Sequence, residues 1–148
     1  KEKERILSCM NGREGMSPEE LERNLQEIMD EYAGGATSHY ELTESKLIIA
    51  RKKLKKLNGK LQLLSAGDKH ELVSCLELID RFDVAKVLIE HLIYRKETRW
   101  PVFQTRTDYP EKDDTNWLGF VNSVYDPVED RVRIIKRALK KENEYLYK

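Results

Sequence analysis

The 148-residue chain has little of what most small catalytic or cross-linked domains depend on. There are only two cysteines, Cys9 and Cys75, far apart and without C-x-x-C spacing. That argues against a disulfide scaffold and a zinc site, and it fits a reducing, cytoplasmic setting. The 27 Lys and Arg balance the 27 Asp and Glu, so there is no net charge. A general nucleic-acid binder carries a basic excess, and this chain has none. No apolar run approaches the roughly 18 residues of a membrane span, so no membrane insertion is expected. No charged n-region leads into an apolar core, so no secretory signal is read. The first residue, Lys1, is not methionine, which points to a piece of a longer protein.

The seven glycines form no G-x-G-x-x-G, and Asn11 to Gly15 reads as a turn. His39, His70 and His91 have no second ligand at metal spacing and read as surface or half-buried helix residues. No serine sits in a G-x-S-x-G elbow. Cys75 reads as a small core residue. No catalytic, cofactor-binding or metal-binding residue is therefore assigned.

What is present is a helical pattern followed by something different. Ser17 caps a first helix, Pro18 opens it, and Glu20 completes an S-x-x-E box. Leu21, Leu25, Ile28, Met29 and Tyr32 line its apolar side, and Gly34-Gly35 stops it. Glu2 to Cys9 reads as the end of an earlier helix. A second helix is expected from about Glu44 to about Ser65, with Leu47, Ala50, Leu54, Leu57, Leu61 and Leu64 on one face and a weak point at Asn58-Gly59. Asp68 caps a third, from about Lys69 to about Lys96. Its expected apolar side is Leu72, Leu76, Ile79, Phe82, Leu88, Ile89 and Leu92. The fold class is thus mainly α, a small antiparallel bundle of about three helices, with an extended loop and a C-terminal β-hairpin behind it. The bundle covers about 15–98 and the loop and hairpin about 99–137.

Charge is segregated along the bundle. Glu14 to Glu44 holds nine acidic residues and one basic residue, whereas Lys46 to Lys60 holds seven basic residues and no acidic one. Two readings stay open: helix faces that attract one another, or a basic stripe for a partner.

After Arg99 the composition changes. Three of the four prolines and seven of the twelve aromatic residues lie in the last third or between Tyr94 and Tyr125. Trp100 to Thr115 reads as an extended loop, docked or functional. Trp117 to Tyr125 and Arg131 to Arg137 read as strands around an Asp126–Asp130 turn. Arg99, Arg106 and Asp108 suit either an ion-pair lattice pinning the loop or a contact to a neighbouring domain or ligand. Asp113 and Asp114 suit capping and salt bridging.

Here the sequence resembles a known family. Arg95-Lys96-Glu97-Thr98-Arg99-Trp100, then Arg106-Thr107-Asp108-Tyr109-Pro110, then Asp113-Asp114-Thr115-Asn116-Trp117 are similar to the C-terminal helical domain of the fumarate reductase and succinate dehydrogenase flavoproteins. Their pattern is R-x-E-S-R-G followed by R-x-D-Y-P-x-R-D-D-x-N-W. Thr98 replaces serine, Lys112 replaces arginine, and Trp100 stands in place of glycine. E-T-R-W-P and the longer gap before Asp108 look like the adenylylsulfate reductase alpha-subunit branch. The resemblance implies a parent chain with FAD-binding and capping domains, and possible contact with an iron–sulfur subunit. It implies no FAD or metal site within these 148 residues. It marks Glu97, Arg99, Trp100, Arg106, Asp108, Tyr109, Asp113, Asp114, Asn116 and Trp117 as an interdomain or structural motif. The alternative is a free-standing helical module that binds a redox partner through Lys46 to Lys60.

Overall fold

A computed structural model describes Cys9 and residues 15–139. The expected helix end at 2–8 and most of the Asn11–Gly15 turn lie outside the described residues. Among the described residues three long helices form the bundle: α1 (Pro18–Tyr32), α2 (Glu44–Asn58) and α3 (Lys69–Tyr94). A two-residue strand β1 (Glu41–Leu42) precedes α2, and one 3-10 turn (Leu61–Leu63) follows it. Beyond α3 come β2 (Thr105–Arg106), the short helix α4 (Asp114–Trp117), and strands β3 (Gly119–Asp126) and β4 (Arg131–Ala138).

The helix starts follow from their caps. Ser17 Oγ accepts from the Glu20 amide at 3.3 Å, and Thr43 Oγ1 from the Lys46 amide at 3.2 Å. Asp68 Oδ1 accepts from the amides of His70 and Glu71 at 2.8 and 2.9 Å. Glu71 reaches back one residue further than a capping box requires, taking the Gly67 amide at 2.7 Å.

Helix α2 stops at Asn58, short of the expected Ser65, because Asn58-Gly59 ends the helix and Leu64 turns into the core beside Met16. The buried line of α3 is Cys75, Leu78, Phe82, Ala85 and Ile89, a 3-4-3-4 seam. Phe82, Ile89 and Cys75 are the expected core residues, and Leu72, Ile79 and Leu92 pack at its edges. Leu88 is exposed, against expectation, and Leu78 and Ala85 join the core instead, because α3 is apolar on more than one side. Cys75 and Ala85 fit because small side chains let the helices approach.

The helices run up, down, up. The start of α2 meets the end of α3 through Glu44 and Lys96, 3.0 Å apart. The far end of α2 meets the start of α3 where the Cys75 thiol lies 3.8 Å from the Ser65 carbonyl. Leu21, Leu25, Leu54, Leu57, Leu78 and Phe82 fill the main core. Ala33, Leu42 and Leu47 make a smaller core at the opposite end.

Two features correct the sequence reading of the loop. Thr105–Arg106 pairs in parallel with Glu41–Leu42, so the loop contains a strand. Trp117 ends helix α4 rather than opening a strand, and β3 begins at Gly119. The hairpin itself pairs Gly119 with Ala138 through Asp126 with Arg131 and lies against α3. Among the described residues no helix is long and apolar enough to cross a membrane.

Candidate functional site

The end of α3 delivers a polar cluster to one end of the bundle. Glu97 is its hub, and its side chain has no solvent exposure. Arg99 clasps it with two bonds, Nε to Oε1 at 2.8 Å and Nη2 to Oε2 at 2.9 Å. Arg95 also donates to Oε1, and the Asp113 amide donates to Oε2 at 3.0 Å. Burial pushes the Glu97 carboxyl up, but these donors outweigh it and hold the group below the ordinary carboxylate range. The third arm of Arg99 reaches Asp114 at 2.9 Å. Asp113 caps α4 through the Asn116 amide at 3.0 Å and also accepts from the Asn116 side chain at 2.7 Å. Trp117 stacks edge-on against Tyr94, with ring centres 5.5 Å apart, under the Arg95 guanidinium.

A second clasp lies beside the first. Arg106 grips Asp108 with two bonds of 2.9 Å and donates to the carbonyls of Leu92 and Arg95. It thereby satisfies carbonyls left over at the end of α3. Asp108 in turn accepts from the Glu44 amide at 2.7 Å, at the start of α2. The Arg106 guanidinium beside Asp108 holds that carboxyl below its ordinary value. Tyr109 lies under the Arg106 and Lys96 cations.

Thr98 links the two clasps. Its hydroxyl accepts from the Arg106 amide at 2.9 Å and donates to the Tyr109 carbonyl at 2.9 Å. Loop residues 104–107 are stitched to the segment before α2. The Thr105 amide donates to the Tyr40 carbonyl at 3.0 Å and the Thr107 amide to the Leu42 carbonyl at 2.9 Å. Gln104 donates to the Gly34 carbonyl at 3.2 Å. Among the described residues every buried side-chain nitrogen or oxygen has a partner.

The structure gathers nine of the ten expected residues into this cluster. Trp100 is the exception. It stands out at the loop tip with 68% exposure, beside Val102 at 89% and Phe103 at 71%. Arg95, Thr98, Gln104 and Glu44 join the cluster without being expected from the sequence, although Arg95 and Thr98 lie inside the family motif. Glu44 and Gln104 carry no local signal, because their partners are distant in sequence.

A cleft of about 260 Å³ runs between Leu42, His91, Arg95, Arg99, Phe103 and Arg106. Its guanidiniums are already committed to carboxylates and carbonyls. A cleft of about 280 Å³ lies away from the cluster, between α1 and α2. Among the described residues no group of three His, Cys, Asp or Glu could hold a metal ion. The geometry of the cluster is that of a fastening: it ties the loop, α3 and α2 together and presents an apolar tip.

Comparison with known proteins gives a consistent result. The model of the fumarate reductase flavoprotein C-terminal family matches residues 22–146. The adenylylsulfate reductase alpha subunit of Megalodesulfovibrio gigas is 33% identical over 124 residues, covering 84% of this chain and 19% of its own length. The solved adenylylsulfate reductase of Archaeoglobus fulgidus is 36% identical with a TM-score of 0.83, over 93% of this chain and 23% of that one. A quinol fumarate reductase chain of E. coli shares the fold, with a TM-score of 0.78 at 19% identity over 94% of this chain and 24% of that one. The chain thus spans about a fifth to a quarter of the length of these relatives.

Proposed function

The chain belongs to the fumarate reductase flavoprotein C-terminal family, and from that premise we propose that it is the C-terminal supporting domain of an FAD-dependent oxidoreductase. In this reading it holds neither flavin nor substrate. It buttresses the FAD-binding and capping domains of the same parent chain and offers a surface to an iron–sulfur subunit. Residues 1–148 form one such domain in this reading, with nine of the ten motif residues as the structural fastening and Trp100 offered to the interdomain contact. The observation that carries this is the loop tip. Trp100, Val102 and Phe103 project into solvent from a base that two bidentate arginine pairs hold rigid. Exposing three large apolar groups costs about 1.5–3 kcal/mol each relative to burial, and a rigid base removes the entropy cost of presenting them.

The parent reaction we propose is that of adenylylsulfate reductase. Support comes from 33–36% identity to that branch against 19% to the fumarate reductase chain. The low cysteine content fits a cytoplasmic home.

The test uses the full-length natural protein, purified and scanned for flavin absorbance. It should be yellow and reduce adenylylsulfate rather than fumarate. Trp100→Ala with Phe103→Ala should lose flavin on gel filtration while each remaining flavin turns over normally. A colourless full-length product would overturn the flavoprotein reading. Unchanged flavin retention in the variant would overturn the docking role of the loop tip.

A further inference from the structure

Helix α2 uses its basic residues unequally. Its buried side is Leu47, Ala50, Leu54 and Leu57. Arg51, on one shoulder, reaches Glu90 of α3 at 3.4 Å. Lys53, on the other, lies 4.8 Å from the ring centre of Tyr32 on α1. The residues opposite the core are Ile49, Lys52, Lys55 and Lys56, at three- and four-residue spacing, and all four are exposed. Lys60 extends the ridge past the helix end. Lys56 and Lys60 share a cleft with Glu27 and Glu31 of α1, so part of their charge is offset. Lys52 and Lys55 have no ion pair among the described residues.

We infer that this ridge is a docking surface for a protein partner that presents a compact carboxylate cluster. Helix α2 spends Arg51 and Lys53 on the fold and leaves Lys52 and Lys55 without an ion pair among the described residues, which internal charge balance does not require. The ridge is one helix wide. It is flanked by α1, whose Glu27 and Glu31 would repel an extended polyanion or a flat anionic bilayer. A localised acidic patch meets only the lysines. The cations are lysines rather than arginines, point charges that keep their water and favour fast, salt-sensitive association over a fixed bidentate grip. Ile49, 42% exposed among them, supplies the apolar contact that excludes water at the centre. The inference does not depend on which reaction the parent chain catalyses.

The test uses the full-length protein and a fluorescein-labelled tri-L-glutamate, short enough to present one compact carboxylate cluster, as probe, read by fluorescence anisotropy. Binding should weaken as salt rises from about 50 to about 200 mM. Lys52→Gln, Lys55→Gln and Lys56→Gln together should weaken it about tenfold. The control set Lys69→Gln, Lys86→Gln and Lys112→Gln should change it less than about twofold. Lys52 and Lys55 should also be acetylated by a water-soluble reagent in the native protein. Equal loss in both sets, absence of binding, or protection of Lys52 and Lys55 by other parts of the parent would overturn the proposal. So would tighter binding to phosphatidylserine vesicles or duplex DNA through the same lysines, or a salt-sensitive dimer that the same substitutions abolish.

Discussion

Replacing Glu97 with alanine should be the most damaging single change to the polar cluster. The side chain is fully buried and accepts four bonds, two from Arg99, one from Arg95 and one from the Asp113 amide. Its removal leaves two guanidiniums facing each other without the charge that offsets them. Losing one partner of a buried ion pair costs about 3–5 kcal/mol. Arg99 retains Asp114, and the side chains of Arg99 and Arg95 are 19% and 28% exposed, so water recovers part of the loss. We therefore expect about 3 kcal/mol, near the lower end of that range. For a domain of this size that lowers the melting temperature by about 6–12 °C. Glu97→Gln keeps the shape but not the charge and should cost about 2 kcal/mol. Arg51→Ala breaks a pair whose side chains are 48% and 26% exposed and should cost under about 1 kcal/mol. Urea unfolding followed by circular dichroism measures all three. A cost under about 1 kcal/mol for Glu97→Ala would refute the claim that Glu97 fastens the loop.

Gly34 has φ +79°, and an added Cβ would sit 2.6 Å from the Leu42 side chain, so Gly34→Ala should cost about 2 kcal/mol by the same urea assay. Glu97 and Asp108 are held below their ordinary values, so their stabilisation is complete above about pH 5 and is lost as pH falls through the lowered folded values. Stability of the wild type should therefore drop below about pH 5, and that of Glu97→Gln should drop less over the same range. Burial pushes the Cys75 thiol up to about 11, so a thiol reagent at about pH 8 should label it only after denaturant is added. Labelling of the native protein at the rate of a free thiol would contradict its placement in the core.

Much of the bundle is legible along the chain because its determinants are local. Ser17, Thr43 and Asp68 cap helices from within three residues of the amides they accept. The stop at Asn58-Gly59 is visible as a weak point, but the sharp end there needs Leu64 to have a place in the core. The seam of α3 is only partly legible: Cys75, Phe82 and Ile89 are read as core, but apolar residues surround much of that helix and only the packing of α1 and α2 selects Leu78 and Ala85 over Leu88. The ten motif residues stand out through family resemblance, not through any arithmetic of spacing. What the structure adds is who holds whom.

Read along the chain, the residues specify the helical class, three long helices with the caps Ser17 and Asp68, the hairpin and the membership of a flavoprotein family. These rest on interactions between neighbours a few residues apart, or on a motif read in order. The tertiary structure decided the rest. It placed Asp108 on the amide of Glu44, 64 positions away in sequence, and paired Thr105–Arg106 with Glu41–Leu42. It buried Glu97 between two arginines and left Trp100 outside. Such contacts close long loops, and their partners are chosen by the packed core rather than by any signal in the chain between them.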